Sequence, residues 1–147
     1  MRQLRGLITT RTLFIFVVVS HKWKVISQKE NMVIQKFEDI IGWQKAQDFA
    51  VEIYKEFSTL KDFGFKDQIC RAVVSISNNI AEGFDRSSDA DFTKFLYMAI
   101  SSCSEVKSML YLSVRLKYIS EEQKISLLNQ GNEISKIIRG LIKSLKK

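Results

Sequence analysis

From Phe37 onward, apolar residues recur at the three- and four-residue spacing of an amphipathic helix. Ala46, Phe49, Ala50, Ile53, Phe57 and Leu60 fall within about 100° of arc when each residue advances by about 100°. Lys45, Asp48, Glu52 and Lys55 take the opposite face. The pattern predicts a first helix ending near Leu60, with residues 61–65 as a loop. In a second helix, Ile69, Val73, Ile76 and Ile80 form a tight apolar stripe, and Gly83 is expected to end it as a C-cap. Ser88-x-x-Asp91 and Ser120-x-x-Gln123 read as capping boxes that open a third and a fourth helix. The third runs to about Tyr118 and the fourth to the Lys-rich end. Four helices with short connections predict an all-α fold, an antiparallel up-down four-helix bundle.

The third helix is apolar on more than one face. Phe92, Leu96, Ala99, Cys103, Val106 and Leu110 keep the alternating four-three spacing of a coiled-coil seam. Tyr97, Ser104, Tyr111 and Tyr118 repeat every seventh position on a different face, with Ile100, Lys107 and Val114 as a third row. A helix apolar on several faces is buried on several sides. A lone bundle of four helices has no central helix, so the pattern favours contact with another subunit. The alternative is tyrosines packed with their hydroxyls in water.

The second helix carries an unusual polar row. Gln68, Arg71, Ser75, Asn79, Glu82 and Arg86 fall within about 80° of arc, away from the core stripe. Ser and Asn cost helix propensity, and a face that merely met water would more usually be Lys and Glu. Spacings of three and four allow bonds from Arg71 to Ser75, Ser75 to Asn79, Asn79 to Glu82 and Glu82 to Arg86. The row therefore reads as a partly buried polar network, completed by another helix or another subunit, against the plainer reading of a solvated face.

Composition narrows the class further. The chain has 147 residues, no Pro and only six Gly, too little turn punctuation for a sheet protein of one domain. Cys70 and Cys103 are far apart and read as reduced, small apolar residues, which fits a cytoplasmic protein. With His21 as the sole histidine, a His-based metal site or catalytic triad is excluded within one chain, and no cofactor is expected.

The net charge of +7 lies mostly at the start. Residues 1–31 hold six of the 23 basic residues and one of the 16 acidic ones, so residues 32–147 carry 17 basic against 15 acidic. The pI is weak evidence that the helical domain binds phosphate. The exception is the last helix, where Lys136, Arg139, Lys143, Lys146 and Lys147 follow Glu133 with no further acid. Phosphate contact is one use for such a cluster; favourable interaction with the helix dipole is another. Residues 12–20 (TLFIFVVVS) are too short to span a membrane. Three readings of residues 1–31 stand: translated codons ahead of a true start at Met32, an ordered strand or helix, and a targeting segment. The domain proper is placed at residues 32–147.

Several of these segments carry a resemblance. WQKA at Trp43 to Ala46 is followed by Gln68, Arg71, Ala72, Ser75, Ile76, Asn79 to Gly83 and Arg86, and then by Phe92, Phe95, Leu96, Ala99, Ser102 and Glu105. This set resembles the bacterial four-helix-bundle proteins first noticed in intervening sequences of 23S ribosomal RNA genes. Ser101 departs from the Gly usual in that family, which puts tight helix packing there in question. The resemblance implies an antiparallel four-helix bundle that assembles as a homopentamer, with no established activity. A related branch, the accessory protein of diversity-generating retroelements, is strongly basic and binds nucleic acid and a reverse transcriptase. Residues 32–147 are not strongly basic, so the orphan branch is the better match.

The expected function is a non-enzymatic, homo-oligomeric binding or scaffold module that associates with RNA through the basic tail. A protein-only accessory partner, for example of a reverse transcriptase, is the alternative. Catalysis by Glu82, Glu105 and Arg71 is disfavoured, because bundle-core metal sites need Glu-x-x-His pairs and the chain has none. Glu105 joins the polar row of the second helix as an expected network or subunit-interface residue.

Overall fold

A computed structural model describes residues 2–9, 12–19, 22–27 and 31–146, with side chains from Ile34 onward. Four helices make up the domain: α1 (Ile41–Glu56), α2 (Phe63–Phe84), α3 (Asp89–Arg115) and α4 (Glu121–Leu145). Each packs against its sequence neighbour, and α1 meets α4 to close the ring. This is the antiparallel up-down bundle that the periodicity predicts. Ahead of the helices, β1 (Arg2–Thr9), β2 (Thr12–Val19), β3 (Lys22–Ser27) and β4 (Asn31–Ile34) form an antiparallel meander in the order β1-β2-β3-β4. A single 3₁₀ turn, Phe37–Asp39, leads from it into α1.

The core is the set of stripes legible in the sequence. Phe49, Ile53, Ile69, Val73, Ile76, Ile80, Leu96, Cys103, Val106 and Leu110 are fully buried, and α4 adds Ile134, Ile138 and Leu141. Burying one such side chain contributes about 1.5–3 kcal/mol, so this seam outweighs any surface pair. On α3, Ile100 is buried and Val114 half-buried, whereas Tyr97 and Tyr111 are 45% and 56% exposed. Of the three rows on that helix, only Tyr97, Ser104 and Tyr111 point outward; Tyr118, beyond the helix end, is half-buried against the core.

The helix ends depend on specific side chains. The Asp62 carboxylate accepts from Phe65 N–H, so α2 starts at Phe63, inside the expected loop. Ser88 accepts from Asp91 N–H at the start of α3, and Ser120 with Gln123 forms a full capping box on α4. The α3–α4 turn is a Schellman motif: Tyr118 N–H donates to Ser113 C=O at 2.8 Å and Lys117 N–H to Val114 C=O at 2.9 Å. Lys117 takes the left-handed position at φ 60°. Tyr118 then donates its hydroxyl to Asp62 at 2.7 Å, tying this turn to the α1–α2 turn. That bond holds the Asp62 carboxyl below its usual range and raises the Tyr118 phenol.

Gly83 corrects an expectation. It does not cap α2, which continues to Phe84 with Asp85 as its C-cap. Its role is proximity. A Cβ at this position would lie 2.5 Å from Phe95 Cβ and 2.9 Å from Phe92 Cδ2. The missing side chain therefore sets how closely α2 and α3 approach at this end.

Two substitutions at these positions should act in opposite directions. Gly83→Ala gains about 1 kcal/mol of helix propensity but forces a clash with the root of Phe95, at about 1–3 kcal/mol. The expected result is a lower melting temperature; a higher one would show that the helices separate freely. Lys117→Gly relieves a left-handed conformation worth roughly 1–2 kcal/mol, partly offset by the unfolded-chain entropy of Gly. A gain of about 0.5–1 kcal/mol in urea unfolding is expected, and no gain would show that the lysine is unstrained.

Candidate interaction surface

The polar row of α2 divides into a half-buried centre and exposed ends. At the centre, Asn79 donates its amide to Ser75 C=O at 2.7 Å and to Ser75 Oγ at 3.0 Å. The Ser75 hydroxyl in turn lies 3.0 Å from Ser102 Oγ on α3. Ser102 donates on to Met98 C=O at 3.1 Å. Asn79 is only 8% exposed, which explains an amide at this position: its donors are used inside the bundle surface. This knot bridges α2 and α3.

Toward the ends, the row meets solvent. Arg71 pairs with Asp67 at 2.7 Å and not with Ser75, and Glu82 pairs with Arg86 at 3.0 Å and not with Asn79. The reason is reach and sign. An extended arginine beside a carboxylate one turn away gains a charge-assisted bond that a serine cannot match. Gln68 donates to Glu105 at 3.3 Å, a second α2–α3 link, and both are exposed. Arg86 also lies 4.8 Å from the Phe95 ring centroid, packing over the α2–α3 contact.

The row forms one wall of an open groove of about 410 Å³ between α1 and α2. Tyr54 of α1 lines the other wall, opposite Arg71, Ser75, Asn78, Asn79 and Glu82. The helices on either side of α2 also carry exposed apolar side chains: Val51 and Tyr54 on α1 are 64% and 52% exposed, Met98 and Leu112 on α3 51% and 44%. Sequence reasoning missed Tyr54, Asn78 and Asp67, all of which depend on neighbours outside the α2 stripe. Ser102 stood in the matched pattern without a role. Ser101 is exposed, so no helix of the same chain packs closely against it.

The basic residues of α4 lie elsewhere. Arg139, Lys143 and Lys146 line a cleft of about 300 Å³ with Tyr97 of α3, and Ile142 forms its floor. Lys136 is exposed further along α4, and Lys147 lies outside the described residues. Among the described residues, no group of three or more His, Cys, Asp or Glu is placed to hold a metal, and no helix is long and apolar enough to cross a membrane.

The family model described as 23S rRNA-intervening sequence protein matches residues 38–140, from the turn before α1 to well into α4. The chain belongs to that family. A crystal structure of a protein of unknown function from the S23 ribosomal protein family of Bacteroides thetaiotaomicron is similar at 36% identity and a TM-score of 0.66. The match covers 70% of this chain and 99% of that one. No curated protein matches the chain at a significant level. The family match spans the whole α2 row and the α3 residues that meet it, while Lys143 and Lys146 fall beyond its end.

The two parts of the row should respond differently to substitution. Ser75→Ala breaks the hydroxyl link between α2 and α3, with an expected cost of about 1 kcal/mol in urea unfolding. Arg71→Ala removes an exposed ion pair and should stay within about 0.5 kcal/mol of the parent. Equal effects would show that the row is energetically uniform.

Proposed function

We propose that this chain is a non-catalytic, cytoplasmic binding or scaffold protein that assembles as a homopentamer and associates with RNA. The observation that supports it is the surface spanning α1, α2 and α3. Val51 and Tyr54 on α1 and Met98 and Leu112 on α3 stand in the open, and between these helices Asn79, Ser75 and Ser102 bond to one another. Exposed apolar side chains beside polar groups that already bond within the bundle suit a protein interface. A ring of identical subunits uses two different patches per chain, and this surface would supply one of them.

A protein-only accessory role is the second reading. It is favoured by the charge balance of residues 32–147, 17 basic against 15 acidic, which provides little general attraction for phosphate.

Light scattering on the purified chain tests the assembly. Tyr54→Glu combined with Met98→Glu introduces carboxylates at two exposed positions, so helicity should be retained while the mass falls below that of the parent oligomer. A monomeric parent, or a variant of unchanged mass, would overturn the reading.

A further inference from the structure

The cleft between α3 and the C-terminal half of α4 differs in kind from the α1–α2 groove. Lys136, Arg139, Lys143 and Lys146 are spaced three, four and three apart, which places them on one face over about 15 Å of helix. None of the four forms an ion pair with a carboxylate among the described residues, whose ion pairs involve Lys45, Arg71, Arg86, Lys94 and Lys124. The helix dipole does not account for the whole row. Its influence fades within the last turn, and α4 ends at Leu145, several residues beyond Lys136 and Arg139. Across the cleft, Tyr97 presents a ring that is 45% exposed. Lys146 Nζ donates to its hydroxyl at 3.0 Å and lies 5.3 Å from the ring centroid. Ile142 closes the floor.

An apolar floor, an aromatic wall and a cationic rim free of carboxylates are the parts of a stacking platform for unpaired bases. We infer that this cleft binds single-stranded nucleic acid, with backbone phosphates on Arg139, Lys143 and Lys146 and a base stacked on Tyr97. The inference rests on the RNA-associated reading above and supplies its site and strand class. A duplex hides its base faces, so the tyrosine selects for unpaired strands. Sequence preference is weak, because every base has a face to stack and no buried polar group reads its edge.

The test uses the full chain and a labelled single-stranded oligouridylate of about 16 nucleotides, followed by fluorescence anisotropy across a salt series. Tyr97→Leu should weaken binding about tenfold or more, while Tyr97→Phe, which keeps the ring, should bind as the parent does. Arg139→Gln with Lys143→Gln should reduce the salt slope by about 1.4, because each phosphate contact to a single strand contributes about 0.7. All three substituted positions are exposed, and thermal melts confirm that each variant is folded. If the parent binds and Tyr97→Leu binds equally well, the cleft assignment fails while RNA association stands on another surface. If the parent shows no binding at low salt, both fail. A duplex of equal length bound as tightly as the single strand would overturn the stacking role.

Discussion

The contact between α2 and α3 is the constraint on which the rest of the bundle depends. Four features lie along it: the Gln68–Glu105 bond, the Ser75–Ser102 bond, the Arg86–Phe95 contact and the absent side chain of Gly83. The first two fix the register of the helices through directed bonds, and Gly83 fixes their separation at the other end. With that pair set, the buried faces of α2 and α3 form one apolar wall, against which α1 and α4 need only bring their own stripes. Apolar packing supplies most of the stabilisation but tolerates sliding, whereas hydrogen bonds at defined heights do not. The polar row on α2 is thus a positioning device first, and its exposed remainder is available for other contacts.

The helical part of the fold was almost fully legible in the sequence, because each helix announces itself through local periodicity, whereas the β1–β4 meander was not assigned. Ala46 to Phe57, Ile69 to Ile80 and Phe92 to Leu110 are buried where the spacing places them. Ser88 and Ser120 cap where their side chains can reach back to a free N–H. What the pattern could not reveal depends on pairs distant in the chain. Gly83 looked like a helix stop because a lone glycine near a predicted end usually is one; only the position of Phe95 shows otherwise. Asp67 took Arg71 from Ser75, since a wheel groups residues by angle and ignores which partner binds more strongly.

The candidate surfaces were legible in part for the same reason. The α2 row and the α4 cations were each visible as rows on one helix. Their counterparts, Tyr54 for the first and Tyr97 for the second, belong to other helices, and their placement follows from helix order and height. Tyr97 had been grouped with Tyr111 and Tyr118 by its seven-residue repeat, yet the three have different neighbours. Tyr97 meets Lys146, Tyr111 lies under Lys124, and Tyr118 bonds Asp62. One sequence repeat thus serves three local environments.

The seam between α3 and α4 has a chemical consequence of its own. Cys103 donates its thiol hydrogen to Gly131 C=O and accepts from the Ser135 hydroxyl, in full burial. Burial raises its pKa, and it does the same for Cys70 on α2. A thiol must ionise before it attacks a disulfide or meets a peroxide efficiently, so at neutral pH neither sulfur offers an appreciable fraction of its reactive form. The bundle thereby gains the packing of two soft, well-fitting atoms without a redox handle, and its core is insulated from the oxidative swings that a more exposed cysteine would register.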